Sequence, residues 1–131
     1  MHPDSLSPSK NIIMRVIPAV LTMLAIFLFS AGPSMDMQDR LLERIVNKGG
    51  HIIGYGILAL SYWRIFGFRG NKFWLAWFLA VLYAMTDEYH QSFVPGRYSS
   101  LFDVLVYDNL GALIALWLAY LYLKTKQPAW V

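Results

Sequence analysis

The sequence predicts an all-α protein: an integral membrane bundle of four transmembrane helices with both termini in the cytoplasm. Composition is the first observation. The 131 residues are 57% hydrophobic and only 15% charged, against about 25% charged in a soluble domain, so most of the surface does not face water. Four long apolar runs are the second. None alternates as a barrel strand would, so helices are the spanning option. The third is the charge pattern, which sorts the loops onto two sides. One domain over residues 1–131 is the expected organisation. Cysteine is absent, which excludes disulfides and thiolate chemistry. The pI near 9.3 does not imply nucleic acid, because the basic residues are scattered between apolar runs rather than gathered on one face.

The first helix, about 12–32, holds the run Val16 to Ala31 behind Lys10 and Arg15. A basic flank and a short apolar stretch also fit a cleaved signal peptide. Phe29-Ser30-Ala31 makes a poor small-x-small cleavage site, so an uncleaved anchor is expected. The second helix, about 45–66, is polar at its start and apolar from Ile52 to Trp63. The third, about 72–90, runs from Phe73 to Thr86 and on into Asp87-Glu88-Tyr89-His90-Gln91. The fourth, about 103–123, is broken only by Asp108 and Asn109. Crossing the hydrocarbon takes about 20 residues. The second and third helices reach that length only with their polar ends embedded.

Orientation follows from charge. Lys10, Arg15, Arg64, Arg69, Lys72, Lys124 and Lys126 fall on one side with Asp4; the other seven of the eight acids fall opposite with Arg40, Arg44, Lys48 and Arg97. The positive-inside rule puts the first side in the cytoplasm. The expected location is the cytoplasmic (inner) membrane, with the polar cluster on the outer face.

Three clusters share one depth. Arg64 back to Lys48, Lys72 on to Glu88, and Lys124 back to Asp108 each span about 24 Å, short of the roughly 30 Å hydrocarbon thickness. Arg15 to Asp36 spans about 31 Å, so the first helix is expected to cross without a polar insertion. Lys48, His51 and Tyr55 recur at spacings of three and four, on one stripe. Gly50 and Gly54 form a small-xxx-small pair for close approach of another helix, within the bundle or in a dimer. Asp103 is expected to cap the fourth helix. Pro95-Gly96 is expected to turn the chain sharply and fold Arg97 over the carboxylates, to take one of them or a phosphate.

Ionisable groups at membrane depth carry function by default. His51, Asp87 and Glu88 are candidates for acid/base chemistry, since neighbouring carboxylates and a histidine can hold protons at different strengths. Against this stands simple ion pairing with Lys48 and Arg97. Lys48, Arg97, Tyr55, Gln91, Asp103, Asp108 and Asn109 are candidate ligand-binding residues. No spacing matches a metal motif, so no metal or other cofactor is expected. Ser92, Ser99 and Ser100 lack a nucleophile-elbow setting. A proton or ion path is a third reading, but a through-pore is not expected, because Ile57–Leu60, Leu75–Leu82 and Ala112–Ala119 carry no ionisable residue. Trp77, Phe78 and Trp117 are expected to pack or face lipid.

Lys48-Gly49-Gly50-His51-Ile52-Ile53-Gly54-Tyr55, then Asp87 through Arg97, Asp103-Val104-Leu105 and Leu110-Gly111-Ala112-Leu113 resemble the VanZ-like family of small bacterial membrane proteins. The likeness is strongest over residues 45–115. In that family an Asn or Asp follows the Asp103-type residue at four positions and a Gly at seven. Here Tyr107 holds the first place, and Gly111 comes at eight. The resemblance implies a multi-pass cell-envelope protein and a link to resistance to the glycopeptide teicoplanin; it supplies no reaction. Two functions are expected from residues and resemblance together. One is binding of a lipid or lipid-linked wall-precursor head group. The alternative is an enzyme hydrolysing or transferring groups on such a lipid.

Overall fold

A computed structural model describes residues 8–32 and 40–126. Asp4 and Asp36, which enter the charge balance and the depth of the first helix, lie outside them. The described residues form four long helices: α1 Pro8–Ala31, α2 Arg40–Ile65, α3 Phe73–Gln91 and α4 Asn109–Lys126. Among the described residues there is no strand. Two helical segments, Asn11–Ala31 and Asp103–Lys126, are long and apolar enough to cross a membrane.

α2 is the hub and touches α1, α3 and α4. It begins five residues ahead of the expected start. Arg40 to Arg44 are strong helix formers, and Glu43 sits in the first turn, where a carboxylate offsets the helix dipole. The α2–α3 turn closes on Gly67 and Phe68, both at positive φ (66° and 55°). Trp63 steadies it by donating its indole N–H to Arg69 O at 2.8 Å and by an edge-on contact with the Phe68 ring.

Ala76, Ala80 and Ala84 recur every fourth residue on α3 and are all buried. This stripe of small side chains lets α3 lie close to its neighbours. Ala59, Trp63, Phe73, Ala76, Ala80, Ala112 and Leu116 form one apolar core; Tyr55, Leu58, Ala84 and Val104 form another. The tightest crossing is α2 against α4. A Cβ on Gly111 would meet Ile52 O at 2.2 Å, and one on Gly56 would meet Gly111 O at 3.1 Å. Gly50 and Gly54, the pair expected to make a close approach, face α1 instead at ordinary contact distances, 3.9 Å to Phe29 and 3.5 Å to Ile26. Phe29 and Ile26 are bulky and hold the α1 backbone away.

α4 is entered through a π-helical turn, Asp103–Asp108. The Asn109 N–H reaches back to Val104 O, one residue further than in an α-helix. The turn absorbs one residue. In α geometry, residues five apart stand about 140° apart around the axis; the wider winding brings Asp103 and Asp108 inward together, at 8% and 1% exposure. Against the spacing that the resemblance implies, Asp108 and Gly111 each come one place late, and this turn holds one residue more than an α turn. Helical winding already begins at Leu101, so Asp103 lies inside the first turn. No side-chain hydrogen bond caps that end, contrary to the expected Asp103 cap.

Candidate functional site

The Lys48–His51–Tyr55 stripe of α2 meets one carboxylate per residue. Lys48 pairs with Asp103, and its ammonium also lies 5.0 Å from the centre of the Tyr107 ring. His51 Nδ1 lies 2.7 Å from Asp108 Oδ1; Asp108 is buried and His51 partly so. Tyr55 donates its hydroxyl to Asp87 Oδ2 at 3.0 Å. These three rungs bind α2 to α3 and to the entry of α4. They also answer the cost of placing carboxylates among apolar helices, since each finds a donor.

Asp87 and Glu88 point apart, as successive helix residues must. Asp87 Oδ2 also accepts from Ser30 Oγ at 2.8 Å and Gln91 Nε2 at 3.1 Å, which ties in the end of α1. Glu88 accepts the backbone N–H of Ser100 and so anchors the loop leading to α4. Neither pairs with Lys48 or Arg97. Asn109 accepts the Trp77 indole N–H at 2.7 Å and locks α4 to α3. Trp117 and Phe78 are exposed, at 56% and 52%.

Arg97 folds back as expected, but onto α1 rather than over a carboxylate. Val94-Pro95-Gly96-Arg97 closes with Arg97 N–H to Val94 O at 3.1 Å, and Gly96 at φ 80° supplies the conformation a type II turn needs. The guanidinium then donates to Phe29 O at 2.6 Å and Gly32 O at 3.0 Å. Its Cζ lies over the Phe29 ring, 5.5 Å from the ring centre. The reason is electrostatic: carbonyls at the end of α1 lack helical partners and carry the negative end of its dipole. The carboxylates already have donors.

Two cavities flank His51. One, of about 660 Å³, is polar and is ringed by Arg40, Arg44, Lys48 and Arg97 together with Glu43 and Asp103. His51, Gln91 and Ser100 also line it. Tyr55, Asp87, Glu88, Asp108 and Asn109 are not in its wall; they act from behind, on the residues that are. Arg40, Arg44 and Tyr107 are cavity residues that sequence reasoning did not single out. Arg40 and Arg44 form a helical i, i+4 pair pointing the same way as Lys48, and that periodicity was the available signal. The second cavity, of about 460 Å³, is apolar and lies against α1. Among the described residues, no three His, Cys, Asp or Glu side chains cluster closely enough to share a metal ion.

A protein-family model described as VanZ/LLP1 matches residues 4–123 of the chain. No curated protein and no solved structure gives a significant match.

Proposed function

The chain belongs to the VanZ/LLP1 family, and from that premise we propose that it binds the anionic head group of a lipid or lipid-linked wall precursor at the outer face of the inner membrane. On this reading all four helices span, both termini are cytoplasmic, and α2 and α3 cross with their polar ends embedded. One observation carries the proposal: a polar cavity of head-group size whose wall holds four fixed cations against two carboxylates. The excess positive charge favours phosphate or pyrophosphate. Arginine forks suit either geometrically. Among the described residues neither Arg40 nor Arg44 takes part in an ion pair, which supports this reading.

Native mass spectrometry of gently extracted protein tests this. A co-purifying phosphate-bearing amphiphile is expected. It should be lost on Arg40→Gln with Arg44→Gln, a double change on the exposed first turns of α2 that leaves the helix contacts alone. Retention of the same lipid by the double variant counts against the cavity as its site. Where the guest is a wall precursor, expression in a susceptible host should also reduce teicoplanin susceptibility.

A second reading, acid/base hydrolysis or transfer on the same amphiphile, is favoured by one feature. Asp108 holds His51 by Nδ1, which fixes the ring and leaves Nε2 without a hydrogen bond to a described residue. That is the arrangement of a carboxylate-oriented general base. Here the acid/base group is His51 with Asp108 behind it, and Asp87 and Glu88 hold the scaffold. His51→Gln separates the readings. Binding kept with turnover lost supports catalysis; binding kept with no turnover by either protein leaves binding as the whole function.

A further inference from the structure

The apolar cavity is chemically the opposite of its neighbour. It opens between α1 and α2, and Leu21, Ala25, Ile26, Ile53 and Ile57 form its walls. At Gly50 and Gly54 the α2 wall has no side chain, which leaves a groove where larger residues would fill the space. Its volume, about 460 Å³, lies within the roughly 300–1,000 Å³ of small-molecule sites. His51 borders both cavities, so groove and polar cavity meet at one side chain. Asp87 also lines the groove, bonded to Gln91, which lines the polar cavity. Asp87 is 4% exposed; its Oδ2 accepts three hydrogen bonds, whereas its buried Oδ1 accepts none among the described residues.

We propose that the groove seats one hydrocarbon chain of the amphiphile whose head occupies the polar cavity, and that Asp87 Oδ1 accepts a hydrogen bond from a hydroxyl at the neck of that chain. This rests on the head-group reading above and narrows it to a substrate class: a phosphate-headed amphiphile with a free neck hydroxyl, as in a lysophospholipid. A chain, rather than a helix of another protein, is the fitting occupant for two reasons. The groove runs directly into a cationic cavity. Among the described residues the groove's one unsatisfied polar atom is Asp87 Oδ1, on a side chain bonded to Gln91 of the polar cavity wall. A chain that leaves bilayer or micelle gains little from transfer alone; its advantage comes from van der Waals contact with the groove walls and from being tethered to a head group already bound beside it.

The test is titration by native mass spectrometry of the full chain in detergent, with two probes that share a head: palmitoyl lysophosphatidylglycerol and chain-free glycerophosphoglycerol. The wild-type protein should bind the palmitoyl probe at least about tenfold more tightly. Ala25→Trp should remove that advantage and leave the affinity for the chain-free probe unchanged. Ala25 is exposed, so added bulk there displaces nothing in the core. Gly54→Leu, which fills the groove from the α2 side, should give the same result, and a palmitoyl probe lacking the neck hydroxyl should bind more weakly than its parent. Equal wild-type affinities for the two probes would overturn the groove and leave the head-group reading standing. Failure of both probes to bind would overturn both. A dimer that Ala25→Trp abolishes would show that the groove docks a second copy, which also overturns the proposal.

Discussion

At the scale of single residues, every acid that sequence reasoning singled out on the last three helices has a named donor: Lys48 for Asp103, His51 for Asp108, Tyr55 for Asp87, and the Ser100 backbone for Glu88. The α2 stripe was legible because spacings of three and four fix a common face whatever lies opposite. The partners were not legible, since nothing in a helix period says which carboxylate a facing side chain will meet. Arg97 shows this most clearly. Its return was readable from Pro95-Gly96, but its target was the set of backbone carbonyls ending α1, which every sequence carries and none displays. Tyr55→Phe removes one of three donors to Asp87 Oδ2. It should lower stability by about 0.5–1.5 kcal/mol, read as a reduced Tm in detergent. The Ser30 and Gln91 bonds should keep the fold intact. A loss as large as that of a core truncation would mean the tyrosine does more than donate.

At the scale of elements, all four helices could be anticipated from apolar runs. Their ends were less accessible. α2 starts early because a charged, helix-forming segment precedes its apolar part. The Asp103–Asp108 bulge was visible only as a misfit in spacing: an acid and a glycine each one place late. Its winding turns that misfit into register. Deletion of Leu105, which is 69% exposed, should therefore let the turn relax to α-helix while Asp108 and Gly111 keep their faces. A variant lacking Leu105 is expected to melt close to the wild type. A variant lacking Ile114, in the regular part of α4, should be severely destabilised, because every later residue rotates by about 100°. Equal damage from the two deletions would show that the bulge is not an absorbed insertion. Gly111 was legible as part of a motif but not as the crossing point. That role depends on the Ile52 carbonyl opposite.

For the whole molecule, the charge asymmetry of the loops predicts which ends face which compartment. The chain has no cysteine, so single introduced thiols report cleanly. Ser99→Cys, in the loop before α4, should react with a membrane-impermeant maleimide on intact cells. Asn71→Cys, between α2 and α3, should react only after permeabilisation. The reverse pattern would invert the topology and move the polar cavity to the cytoplasm. The ladder on α2 also bears on how the protein is made. Ribosomes deliver helices in order, and α2 arrives before either helix whose carboxylates it satisfies. Asp87, Asp103 and Asp108 would each be expensive passengers for a helix partitioning into lipid alone. On the proposed four-span reading, a lysine, an imidazole and a phenol on α2 already await them, so that row of donors acts as the docking template for the later helices. Chain order and charge order thus agree, and a permuted gene that emitted α3 and α4 ahead of α2 would ask the translocation machinery to integrate bare acids.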